Sequence, residues 1–183
     1  MKGRVAIVKT NYVKKGKGER EAAKANIRYM EHRRGRDGQK MNRTLFSVQG
    51  VIGRHEAYRM IDTAGKGSYF YRLVLSPDPT KEDTKQDLYM REITRSMFSA
   101  LEERLNTPLA WVAAVHDDHT AIRHVHMLAV LPTRLSKEDC RALIQTTTEA
   151  ALSQRHMRDL AAEQQGKAKE HQAAEEAAWE RER

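Results

Sequence analysis

The chain has a single cysteine, Cys140, among its 183 residues, so no disulfide can form within it, and the composition fits a reducing compartment rather than secretion. No apolar run is long enough to cross a bilayer, and Met1-Lys2-Gly3-Arg4 leads into a mixed segment without the apolar core of a signal peptide. A soluble, cytoplasmic protein with no membrane segment is expected. Internal repeats are lacking too, and a chain of this length ordinarily makes one domain with a genuine core. Acidic residues are scarce in one region only. Residues 1–60 hold 16 Lys and Arg against 5 Asp and Glu, a net of +11, whereas the remainder holds 17 against 20. A basic excess confined to the first third is the electrostatic footprint expected for a phosphate backbone, although a merely solvated basic surface has the same composition.

The pattern along the chain alternates strands and helices. Residues 4–13 are rich in β-branched side chains and read as a strand, followed by the basic loop Lys14-Lys15-Gly16-Lys17-Gly18. From Glu19 to about Arg33 the spacing of Ala23, Ile27 and Met30 predicts a helix, which Gly35 and Gly38 end in a second basic loop over 33–40. A short helix is expected over 54–63, a central strand over 68–75 and a turn at Ser76-Pro77-Asp78-Pro79. Leu88, Ile93, Met97, Leu101 and Leu105 recur near helical spacing, so a long helix is expected from about Lys81 to Leu105. Two further apolar runs, Trp111–Val115 and Val125–Leu131, read as strands. Ser136 with Asp139 three positions on signals the start of a last helix that continues past Leu160; beyond Gln164 a solvated helix or a frayed tail is expected. The expected division is a core over 1–135 and a C-terminal helix with its tail over 136–183.

The chemistry is concentrated where the two late strands meet. His116 ends the first run, His124 and His126 stand in the second, and the polar stretch between them is long enough to turn the chain. Residues i and i+2 of a strand share a face, so His124 and His126 project in parallel, and a hairpin would bring His116 to them. Three neutral imidazoles form a facial donor set that holds a divalent cation and leaves positions open for a substrate oxygen. Asp118 could accept the other ring N–H of a ligating histidine, supply a ligand, or act as a general base. Paired histidines without metal are the bland alternative.

Such a site serves either an activated water or a side-chain nucleophile. On the 19–33 helix, Tyr29 lies about 200° around the axis from Ile27 at roughly 100° per residue, off the apolar stripe. It stands beside Arg28, Arg33 and Arg34 in a positive field that would attract a phosphate and stabilise a phenolate. Tyr12, at the end of a strand before a lysine-rich loop, is the other early candidate. Tyr69 and Tyr71 alternate in a strand and read as core or sheet-face residues.

Three segments in chain order resemble the relaxases of conjugative and mobilisable elements, within the HUH endonuclease superfamily, in the branch that includes the Agrobacterium transfer-DNA nickase. They are Ile27-Arg28-Tyr29-Met30-Glu31-His32-Arg33, Tyr71-Arg72-Leu73-Val74-Leu75-Ser76-Pro77, and Trp111 through His126 with its His-x-Asp and His-x-His. The similarity spans about residues 4–132. It implies an α/β (α+β) fold: a central antiparallel sheet with helices mainly on one face, plus the C-terminal helix. It also implies a Mg²⁺ or Mn²⁺ ion held by His116, His124 and His126, and Tyr29 as nucleophile toward single-stranded DNA at an origin of transfer. The expected product is a covalent 5′-phosphotyrosine adduct, formed in a bacterial cytoplasm with accessory relaxosome proteins and a coupling protein as possible partners. Lys14, Lys15, Lys17, Arg28, Arg33, Arg34, Arg36 and Lys40 would then line the DNA path. Arg123 stands where many relatives carry proline, and would either contact phosphate or shift the turn. A rolling-circle replication initiator of the same superfamily, or a non-catalytic metal-containing DNA-binding accessory protein, would share most of these features.

Overall fold

The computed structural model describes residues 7–13, 16, 18–35, 37–117 and 122–181. The protein is α+β, with one antiparallel six-stranded sheet and four helices. In chain order the elements are β1 (Ile7–Tyr12), α1 (Glu19–His32), β2 (Phe46–Ser47), β3 (Gly50–Val51), α2 (Arg54–Asp62), β4 (Tyr69–Ser76), α3 (Met90–Leu105), β5 (Ala110–His116), β6 (His124–Leu131) and α4 (Lys137–Arg181). The sheet order is β1-β4-β6-β5-β2-β3. Among the described residues no helix is long and apolar enough to cross a membrane.

Helices cover both faces of this sheet, a correction to the expectation that they would lie mainly on one. Strand side chains alternate, and here both alternating sets are apolar. Phe70, Val112, Ala114 and Leu128 pack against Ala23, Ile27 and Met30 of α1 and Ala57 and Ile61 of α2. Leu73, Leu75, Trp111, Met127 and Ala129 pack against Ile93, Met97, Phe98 and Leu101 of α3 and Leu143 and Ala151 of α4. Phe98 stacks on Trp111, ring centroids 4.5 Å apart and nearly parallel. Strands buried on both sides read as continuous apolar runs, which is what Trp111–Val115 and Met127–Leu131 are.

Two element boundaries also differ from expectation. The helix foreseen from Lys81 begins only at Met90. Between them the backbone folds about Asp78, whose carbonyl accepts from the amides of Glu82 and Asp83 and whose Oδ1 accepts from Thr80; Asp83 Oδ1 in turn accepts the Leu88 amide. Local side-chain bonds of this kind compete with helix formation. The small β2–β3 hairpin was not foreseen. At the other end Ser136 and Asp139 form a reciprocal cap on α4, each side chain accepting the other's amide. α4 packs on the core through Leu143, Thr147 and Ala151 and is solvent-exposed from Asp159 to Ala174, so the tail is a solvated helix.

Candidate metal centre

β5 and β6 pair with His116 opposite His124 and Ala114 opposite His126. That register puts all three imidazoles on the α1/α2 face at one end of the sheet. Ring centroids are 5.3 Å apart for His116 and His124, 4.6 Å for His116 and His126, and 4.9 Å for His124 and His126. One nitrogen from each ring lies within 4.8 Å of the others. Donors sharing one cation at bond lengths of about 2.1 Å sit roughly 3–3.5 Å apart.

Backbone carbonyls fix the tautomers of two rings. His116 Nε2 donates to the Met30 carbonyl at 2.8 Å, which leaves the lone pair on Nδ1. His124 Nδ1 donates to the Ile122 carbonyl at 3.1 Å, leaving the lone pair on Nε2. Such outer hydrogen bonds orient a ring for metal binding. His116 is fully buried, and burial, reinforced by the neighbouring His126 and Arg43, pushes its pKa down to about 3. It is therefore neutral at pH 7, the form a ligand requires. The donor chemistry fits Mn²⁺ and its neighbours in the first transition row better than Mg²⁺, which prefers an all-oxygen shell.

The same contact ties the site to α1. The last carbonyls of a helix have no partner within it, and those of α1 are met one by one. Tyr29 O accepts the Arg33 amide, Met30 O accepts His116, and Glu31 O accepts the Arg43 amide. Arg54 adds side-chain bonds to Glu31 at 2.6 Å and to His32, joining the end of α1 to the start of α2. The turn carrying Tyr29 is thereby fixed against the histidines.

Tyr29 lies off the buried stripe of Ala23, Ile27 and Met30, as its helical phase requires, and is 43% exposed. Its ring meets that of His126 edge-on at 5.7 Å, and the Arg33 guanidinium lies over it at 5.3 Å. Tyr12 is elsewhere. Paired with Tyr71, it belongs to the α3/α4 face, where it contacts Tyr69, Tyr71 and Arg134. Arg28 is exposed on α1 and donates to the Tyr58 hydroxyl at 3.1 Å. Arg34 and Lys40 face each other across a bridge in the loop after α1, with Arg34 donating to the Gly38 carbonyl. Lys14, Lys15, Lys17, Arg36 and Asp118 lie outside the described residues.

Arg123 is engaged within the protein. It donates to both oxygens of buried Asp83, at 3.2 and 3.3 Å, and to the Leu88 carbonyl. Its guanidinium neutralises the carboxylate of Asp83, which is almost fully buried. Three residues of interest escaped the sequence reading. Arg43 is buried beside His116 and donates to the Arg33 carbonyl. Asn26 and Arg72 line a groove that opens beside Tyr29 and His126. Arg72 carried one signal, as the charged position within the apolar run of β4.

No protein family matches the sequence, and no curated protein or solved structure is similar to it.

Proposed function

We propose that the protein is a metal-dependent single-stranded DNA nickase of the relaxase type, with Tyr29 as nucleophile. The observation that carries this reading is an exposed tyrosine beside a cluster of three histidines on one face of the sheet, its ring 5.7 Å from that of His126. A divalent cation held by His116, His124 and His126 would supply positive charge to a non-bridging oxygen of the scissile phosphate, where charge grows in the transition state. The Tyr29 oxygen attacks phosphorus, the bond from phosphorus to the 3′-oxygen breaks, and the phenolic proton is lost to solvent or a base while the departing 3′-oxygen gains one. Because a phosphotyrosine ester keeps the energy of the phosphodiester, the reverse step reseals the strand. Arg33, over the Tyr29 ring, and exposed Arg28 are placed to draw the polyanion toward the tyrosine.

The test is a covalent adduct. The protein is incubated with Mn²⁺ and labelled single-stranded oligonucleotides tiling the DNA that flanks its own gene, then denatured in SDS. A labelled protein band is expected from the wild type and from Tyr12→Phe, and none from Tyr29→Phe. A band that survives Tyr29→Phe and vanishes in Tyr12→Phe transfers the role to Tyr12. DNA binding with no adduct from any oligonucleotide leaves a non-catalytic DNA-binding protein.

A further inference from the structure

On the histidine face, α1 and α2 pack on β5 and β6, while among the described residues no helix packs on Arg72 and Val74 of β4 or on Asn11 of β1 in the same way. The step between covered and uncovered sheet is a groove of about 610 Å³, its floor from Asn11, Arg72 and Val74 and its wall from Ala22, Ala25 and Asn26. Tyr29 and His126 line the same groove. A volume of this size falls within the range of small-ligand sites, about 300–1,000 Å³.

Two polar side chains in it lack partners among the described residues. The guanidinium of Arg72, exposed in mid-strand, makes no ion pair or hydrogen bond to any of them. Asn26 Oδ1 is buried with no hydrogen-bond partner, an arrangement that is costly unless a bound group supplies an N–H. A guanidinium recognises phosphate, and a primary amide can pair with the donor and acceptor edge of a base. Two alanines on the wall leave room for a planar ring between them and the sheet.

We propose that this groove holds the nucleotide adjacent to the scissile phosphate, with Arg72 on its own phosphate and Asn26 making the affinity depend on its base. The proposal rests on the nickase reading for the choice of ligand. It assigns specificity to two residues outside the metal centre.

The test measures binding, by fluorescence anisotropy over a range of salt, of fluorescein-labelled dA, dC and dT 12-mers and of an abasic 12-mer. The wild type is expected to discriminate among the three bases and to bind the abasic strand more weakly than the tightest of them. In Arg72→Ala all strands should weaken together, and the dependence of log K on log salt should flatten by about 0.7, the loss of one contact to single-stranded phosphate. In Asn26→Ala the three bases should converge to within about twofold, from the roughly tenfold discrimination that one amide pair supplies. Ala25→Leu fills the groove without touching either polar group and should weaken every strand with a base about tenfold, while sparing the abasic strand. An unchanged salt slope in Arg72→Ala, or base discrimination that survives both Asn26→Ala and Ala25→Leu, overturns the proposal. Those failures beside an intact Tyr29 adduct remove the groove and leave the nickase. Base-dependent binding lost in Asn26→Ala, without any adduct, removes the nickase and leaves a nucleotide groove.

Discussion

The two faces of the sheet carry similar side chains put to opposite uses. On the α3/α4 face, tyrosines pack edge-on and tilted against one another and four arginines are tied to carboxylates: Arg123 to Asp83, Arg155 and Arg158 to Asp87, Arg104 to Asp139. On the α1/α2 face, Arg54 pairs with Glu31 and Lys24 with Asp62, but an exposed tyrosine stands beside histidines, and Arg28, Arg33 and Arg72 have no carboxylate partner among the described residues. Satisfied charge makes structure. Charge left facing solvent beside a donor cluster is available to a ligand, and for Arg28 and Arg33 the imbalance of the first sixty residues leaves few acids to pair with.

The largest effect that would test this contrast is on stability. Arg123→Ala strands the carboxylate of Asp83, which is only 4% exposed, and breaking one half of a buried pair costs about 3–5 kcal/mol. Urea unfolding should show that loss, while the salt dependence of single-strand binding stays at the wild-type slope. Arg33→Ala should do the reverse, losing little stability and flattening the slope by about 0.7. If Arg123→Ala flattened the slope with stability intact, the division between the faces would collapse.

Next in size is metal affinity. His124→Ala removes one of three donors, and a loss of at least about 10–100-fold in Mn²⁺ binding is expected, taking the effect of outer-sphere partners as a lower guide. His156 on α4 is exposed and outside the cluster, so His156→Ala should bind Mn²⁺ as the wild type does. Equal affinities in titration calorimetry for wild type and His124→Ala would mean that the three rings do not act together.

Much of this contrast is already written in the sequence. The spacing of His124 and His126 in an apolar run fixes their shared face, and the helical phase of Tyr29 against Ala23, Ile27 and Met30 turns it out of the core. Local periodicity suffices for these. It fails for Arg123, whose partner Asp83 lies forty residues away, and for the start of α3, where Leu88 falls on the apparent apolar stripe although Asp78 and Asp83 bind the preceding amides. Helices on both faces were signalled by the unbroken apolar stretches Trp111–Val115 of β5 and Met127–Leu131 of β6, since a half-exposed strand would alternate. The pairing of Asn26 with Arg72 across a groove has no local signature at all; it exists only once α1 has docked on β6 and left β4 partly bare.

The smallest effect concerns a charge that the α3/α4 side does not neutralise. Glu82 is fully buried in the segment before α3; its Oε2 accepts the Asp78 amide at 2.6 Å, and Oε1 has no hydrogen-bond partner among the described residues. Burial, with Asp78 and Asp83 nearby, pushes its pKa up to about 7 from an ordinary 4.5. In the unfolded chain the carboxyl ionises near pH 4.5, while in the folded protein it stays protonated until about pH 7. Over that window the unfolded state binds fewer protons, so stability falls as pH rises, and it levels off once both states are ionised. Glu82→Gln keeps an oxygen for the Asp78 amide and removes the buried charge. It should stabilise the protein by about 1–2 kcal/mol at pH 8 and leave it unchanged at pH 4, as read from urea midpoints at the two values. The same gain at both would show that packing is responsible and that the carboxyl is not titrating in this window. A gain confined to high pH, with single-strand binding unaltered, would identify Glu82 as a charge that burdens the fold without serving the opposite face.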